Sequence, residues 1–243
     1  MIAPVLHIIK DKKRLAENMA SDLVSWLKVR TSGEEIVSVA LSGGSTPTLL
    51  FREIVAINPE IDWNKVHFFW VDERCVPPDH SESNFGVAHK ELLSPLHIPD
   101  SSVFRVRGED EPQKEAARYS DLILDRISPD MTFPVFDLVL LGMGSDGHTA
   151  SIFPHEMEKW NEEKICTVAT HPDSGQQRIT FTGHLINAAR KVLFMVTGEE
   201  KSTIAAKVIQ RNSNFEEYPA SLVMPHHGEL EWYLDRDAAA LLK

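Results

Sequence analysis

Apolar residues fall at helical spacing over 12–29, at Leu15, Met19, Leu23, Trp26 and Leu27, and predict an amphipathic helix. The runs 35–41 and 66–71 are short, nearly continuous and rich in β-branched or aromatic residues, so they predict buried strands. Between them, 46–56 is patterned as a helix, with Thr46 the predicted N-cap and Pro47 at the first helical position. Helical patterns return at 84–93 and 112–127. Leu138–Leu141 then reads as a central strand, with further strands at 165–170, 178–182 and 192–196. A helix over 201–210 and short strands over 221–224 and 230–234 complete the series. Strands alternating with helices predict an α/β fold on a doubly wound, mostly parallel sheet. Pro77-Pro78 and Ser128-Pro129-Asp130 punctuate loops. No repeat, low-complexity tract or composition shift divides the chain, so residues 1–243 read as one domain.

The chain is 42% hydrophobic and 25% charged, ordinary values for a globular protein with a self-sufficient core. Its formal net charge of −11 argues against nucleic acid and anionic membrane as partners. An anionic substrate must then be caught by local cations against a repulsive field. The two cysteines, Cys75 and Cys166, lack metal-ligand spacing and suit free thiols in a reducing compartment. The apolar run within 1–13 is too short for a signal peptide, and no run approaches the ~18 apolar residues of a membrane span. The expectation is a soluble cytoplasmic protein, a monomer with a homodimer as the alternative.

Three motifs carry chemistry. The first, Ser42-Gly43-Gly44-Ser45-Thr46-Pro47, follows a strand and opens a helix. Its glycines let successive N–H groups turn toward one anion, the helix N-terminus adds a favourable dipole, and the hydroxyls add donors. The bland alternative is a tight turn before a capped helix. The same residues nearly match a nucleophile elbow, with Ala40 in place of its first glycine and Ser42 as the attacking serine. The second motif, Asp72-Glu73-Arg74, sets three charges directly after an apolar strand, where Arg74 can grip a phosphate or carboxylate. The third, Gly142-Met143-Gly144-Ser145-Asp146-Gly147-His148, delivers an acid and an imidazole at the carboxyl end of a buried strand, where open α/β sheets bind ligands. It formally matches a dinucleotide fingerprint, but the following strand ends in Thr170-His171 and lacks the required acid. Asp146 and His148 lack zinc-site spacing, and His226-His227 mark a loop. Arg178 and Lys201 open a strand and a helix and can reach a common edge.

Taken together, Ser42 to Pro47, Asp72 to Arg74 with Ser83-Asn84, and the stretch from Gly142 to Pro154 resemble the glucosamine-6-phosphate isomerase/6-phosphogluconolactonase family. Pro219-Ala-Ser-Leu-Val and Trp232 fit as well, so the resemblance spans nearly the whole chain in order. It implies a three-layer αβα fold shared with glucosamine-6-phosphate deaminases and ribose-5-phosphate isomerases. It also implies hydrolysis of 6-phosphoglucono-δ-lactone in the oxidative pentose phosphate pathway, without metal or organic cofactor. The deaminase pattern carries a Glu where this chain has Phe153 and a Glu-Tyr pair where it has Glu73-Arg74; both departures favour the lactonase. A deaminase or isomerase, or a non-catalytic sugar-phosphate sensor, remains the alternative.

Opening a lactone needs an activated water, a cradle for the oxyanion and an anchor for the phosphate. His148 is the expected general base and Asp146 its orienting partner, although spacing alone does not establish their contact. Arg74 or glycine-turn amides would face the oxyanion. Ser42, Gly43, Gly44, Ser45, Thr46, Asp72, Glu73, Asn84 and Gly144 are the expected substrate-binding residues, and the resemblance adds Arg178 and Lys201 near the phosphate.

Overall fold

A computed structural model describes residues 4–130, 132–211 and 214–243. The chain runs β1 (Val5–Ile9), α1 (Lys12–Arg30), β2 (Val37–Leu41), α2 (Ser45–Ile57), β3 (Val66–Trp70), β4 (Asp72–Arg74), α3 (Asn84–Ala88) and α4 (Pro112–Arg126). It continues with β5 (Pro129–Asp130), β6 (Phe133–Pro134), β7 (Leu138–Leu141), β8 (Cys166–Thr170), β9 (Gln177–Phe181), α5 (Gly183–Asn187), β10 (Lys191–Val196), α6 (Ser202–Ile209) and β11 (Glu229–Asp235).

Six strands form one parallel sheet in the order β1-β11-β10-β7-β2-β3. Every residue of β2 and β7 is buried, as a strand covered on both faces requires. The chain steps one way from β1 through β2 to β3, then reverses through β7, β10 and β11. Right-handed crossovers therefore place α1 and α2 on one face and α4, α5 and α6 on the other, giving the expected αβα sandwich. Two observations agree. From β11, Tyr233 reaches Asp22 of α1 at 2.9 Å, while the adjacent Trp232 shares a groove with Val208 of α6. The reversal falls between β2 and β7, so the loops 42–44 and 142–148 leave neighbouring strands at the switch point, where such sheets bind ligands.

A small antiparallel sheet, β4-β9-β8, stands at the end of β3. Val71 links the two sheets, donating to the Leu41 carbonyl at 2.9 Å and accepting from the Phe181 amide at 2.8 Å.

Several elements depart from the sequence pattern. Helix α2 begins two residues early: Gly44, at φ 106°, is the N-cap, so Thr46 and Pro47 fall within the first turn. Only glycine takes that backbone conformation without strain. The segment 221–224 is not a strand; Pro219–Leu222 form a 3-10 turn that packs beside the 142–148 loop. Residues 72–74, the three charges after the apolar strand, form a strand of their own, β4, and the apolar start of the chain forms edge strand β1. The 84–93 helix is split into α3 and a π-helical turn, His89–Leu93.

Candidate active site

A cleft of about 1050 Å³ opens at the switch point. It is lined by the 42–48 loop and helix start, by Asp72, Arg74, Asn84, Gly144, His148 and Arg178, and by the 195–201 turn with Lys201. Most of the residues singled out from sequence therefore meet in one place.

The Gly-Ser-Asp-Gly-His turn is shaped by its glycines. Gly144 donates to the His148 carbonyl at 2.9 Å, and Gly147, at φ 82°, donates back to Gly144 O at 3.1 Å. The 3-10 turn at 219–222 supports it through Ala220 N–H to Gly147 O at 3.0 Å. His148 Nδ1 lies 2.6 Å from Asp146 Oδ1, which answers the question that spacing left open. With Nδ1–H donating to the carboxylate, Nε2 keeps its lone pair. Burial pushes the Asp146 carboxyl up, but the hydrogen bond and charge of His148 outweigh it and hold the group below the usual carboxylate range. Gly144 makes room for the pair: a Cβ there would lie 2.2 Å from His148 Nδ1 and 2.4 Å from Asp146 Oδ1. The next residues are also constrained, with Ala150 at φ 49° on the cleft wall.

The 42–46 loop contributes backbone. No side chain among the described residues caps α2, so the Ser45 and Thr46 amides of its first turn remain available to an anion. The Ser42 hydroxyl donates to Leu140 O at 2.8 Å, strapping the loop to β7. That bond occupies the hydroxyl in a structural role, against the nucleophile-elbow alternative. Thr46 Oγ1 meets Thr197 Oγ1 at 3.2 Å across the cleft mouth.

The small sheet brings the cations. Arg74 of β4 sits directly opposite Arg178 of β9, so the two guanidiniums share a face with Asp72. Arg74 Nη1 donates to Glu82 O at 2.6 Å, and Arg178 Nη1 reaches Ser151 Oγ at 3.4 Å. The Nε of each is buried without a hydrogen-bond partner among the described residues, which leaves two donors unspent on paired strands. Burial holds the Arg178 guanidinium below its usual value, and the neighbouring Arg74 adds to that, with Asp72 opposing. Asp72 accepts from Ser151 Oγ at 2.6 Å. Lys201 stands in the turn after β10, half-buried, and no ion pair engages it among the described residues.

One expected contact is not made. Glu73 points away from the cleft and is 1% exposed. Its carboxylate accepts the amides of Arg74, Asn84 and Phe85 at 2.7–2.8 Å and the Ser83 hydroxyl at 3.2 Å. Alternation along a strand explains this: if Asp72 and Arg74 face the cleft, Glu73 cannot. Its carboxylate ties β4 to the start of α3, and thereby sets Asn84, whose Nδ2 donates to Asp72 O at 2.9 Å, against Gly43. Lys12 and Thr197 line the cleft as well and went unnoticed in the sequence. Reading 5–9 as a strand would have put Lys12 at the same sheet edge.

This geometry is what an open α/β enzyme needs to act on a small anionic substrate. The chain belongs to the family described as glucosamine-6-phosphate isomerases/6-phosphogluconolactonase, whose profile matches residues 10–232. It is 50% identical over 203 residues to a 6-phosphogluconolactonase of Treponema pallidum (strain Nichols), with 83% of each chain covered. The structure of 6-phosphogluconolactonase from Trypanosoma brucei superposes with a TM-score of 0.87 at 26% identity, covering 100% of both chains. A monomeric glucosamine-6-phosphate deaminase, 19% identical, shares the fold at a TM-score of 0.79 over 98% of this chain and 99% of its own.

Proposed function

We propose that the protein hydrolyses 6-phospho-D-glucono-1,5-lactone to 6-phospho-D-gluconate, the lactone-opening step of the oxidative pentose phosphate pathway, as a single cytoplasmic domain acting as a monomer. The observation that carries the reading is the Asp146-held His148 in one cleft with a helix start and the cations Arg74, Arg178 and Lys201, in a chain 50% identical to a lactonase. The phosphate lies against the first-turn amides of α2, with Arg178 and Lys201 supplying charge-assisted bonds. His148 Nε2 takes a proton from water, and the hydroxide adds to the lactone carbonyl. Arg74 and glycine-turn amides receive the charge that develops on the carbonyl oxygen. Collapse breaks the bond from C1 to the ring oxygen, which leaves as a hydroxyl with the proton held by His148. The product acid then ionises. Each step uses side chains and backbone already in the cleft.

Phe153 supports the lactonase over the deaminase reading, because it places an apolar ring, 0% exposed, against His148. The test is a pH-stat assay with freshly made lactone, corrected for spontaneous opening. Acid release well above the spontaneous rate is expected. No excess over that rate, or ammonia release from glucosamine 6-phosphate, would reject the assignment.

A further inference from the structure

Phe153 is fully buried and touches two of the residues expected to carry the site's chemistry. Its ring centroid lies 4.7 Å from that of His148 at an angle of 53°, and the Arg178 guanidinium carbon lies 5.7 Å from the same ring. His155 and His171 approach it from other sides, with centroids at 5.8 Å and 5.3 Å. The ring sits between the 142–148 turn and β9, elements that the sheet connects only indirectly. It is the common neighbour of the expected base and of an expected phosphate cation.

We propose that Phe153 is a positioning residue, whose ring holds the His148 imidazole and the Arg178 guanidinium in one fixed relation and favours the positive charge that His148 gains during turnover. The inference rests on the reading of His148 as base. The negative face of an aromatic ring attracts a cation within about 6 Å of its centroid, most strongly where water is excluded. Arg178 meets that condition at rest, and His148 meets it once it has accepted a proton. A rigid ring also admits fewer arrangements than an aliphatic chain of similar size, so the distance from base to phosphate anchor is held during turnover. The titratable and charged groups that share the surroundings are Asp146 on the same turn, Asp72 and Arg74 on β4, Lys201 with Glu200 before α6, Asp11 and Lys12 at the start of α1, Arg52 on α2, Asp235 and Asp237 at the end of β11, and the two outer histidines. None of them bridges His148 to Arg178.

Phe153→Leu tests this, because it keeps an apolar side chain and removes the ring face. The expected result is a several-fold rise in KM for the lactone and a fall in kcat. The acid limb of kcat/KM, which reports the free enzyme's base, should move down by roughly half a pH unit, since a lost cation–ring contact makes the imidazolium easier to deprotonate. In an Arg178→Ala background the same change should raise KM by less than about twofold further, because the shared contact is already gone. Thermal melting checks the fold, and Phe153→Met takes the place of the leucine variant if that one does not fold. An unmoved acid limb, an unchanged KM, or equal effects in both backgrounds overturns the proposal. If His148→Ala keeps its rate, the base assignment is what fails; if only Phe153→Leu is silent, the lactonase reading stands without this role.

Discussion

At the scale of single residues, the decisive object is the hydrogen bond from His148 Nδ1 to Asp146. It fixes the tautomer, so replacing His148 by Ala should lower kcat by about 10²-fold or more while 6-phosphogluconate still binds. A loss below about tenfold, measured by pH-stat, would reject His148 as general base. Gly144→Ala offers a second route to the same point. The added methyl would overlap both members of the pair, at 2.2 Å and 2.4 Å, without entering the sheet core. Its kcat should therefore fall most of the way toward that of His148→Ala, with melting temperature little changed. A Gly144→Ala enzyme of wild-type rate would show that the pair is dispensable.

At the scale of elements, the site depends on two short segments placed by the larger sheet. The three residues of β4 continue from β3 and pair with β9, which sets Arg74 opposite Arg178. Arg178→Ala and Lys201→Ala should each raise KM substantially with a smaller effect on kcat, since mainly ground-state binding is lost. Calorimetry with 6-phosphogluconate is the check; wild-type affinity in both variants would move the phosphate elsewhere, with Arg74 the next candidate. The first loop is equally constrained. A Cβ on Gly43 would fall 1.7 Å from Asn84 Oδ1, an overlap relieved when the Asn84 side chain swings away and gives up its bond to Asp72 O. Gly43→Ala should weaken product binding, read by the same calorimetry, through displacement of Asn84 from the cleft wall rather than through the loop's own amides. How much of this was legible differs by residue. Gly43 to Thr46 and His148 were readable because each sits at an element boundary with distinctive chemistry, whereas Arg178 entered the site through the family resemblance. The structural role of Glu73 was not, because a three-residue charged run after a strand does not reveal whether the chain continues in extended form. Lys12 was missed for the same reason, as β1 is an edge strand with exposed apolar residues and no buried pattern to read.

At the scale of the whole molecule, the charge of −11 repels an anionic substrate until it reaches the cleft. Added salt should change wild-type KM less than loss of Arg178 does, because a partly buried contact is weakly screened; a larger salt effect would place the binding charge at the surface. The depressed carboxylates give acid stability its sign, against Glu73, which burial pushes above its usual value and which works in the opposite sense. Glu91, hydrogen-bonded by Arg52, and Glu109, hydrogen-bonded by Arg105, are held below the usual carboxylate range, and Asp146 is held low by His148 although burial opposes it. A carboxylate depressed in the folded state adds stability above its unfolded value, near pH ~4, and loses it as pH falls through the folded value. The melting temperature should stay nearly level from pH 7 to about pH 5 and decline below about pH 4. A flat profile down to pH 3 would mean these pairs add nothing.

The sequence alone determined the alternation of buried strands with amphipathic helices, and with it the doubly wound class, because period and run length reflect which faces are covered. It also determined the chemistry of the glycine turns, since an acid and an imidazole two residues apart in a glycine-rich loop have few structural uses. Only the tertiary structure decided the strand order, which puts β2 beside β7 and so brings residues about one hundred positions apart to one switch point. It decided as well that Arg74 faces the cleft while Glu73 is buried behind it, because the facing of a short strand is set by its pairing with β9. The contact of Phe153 with both His148 and Arg178 belongs to the same category, since no local pattern fixes which distant elements a buried ring will join.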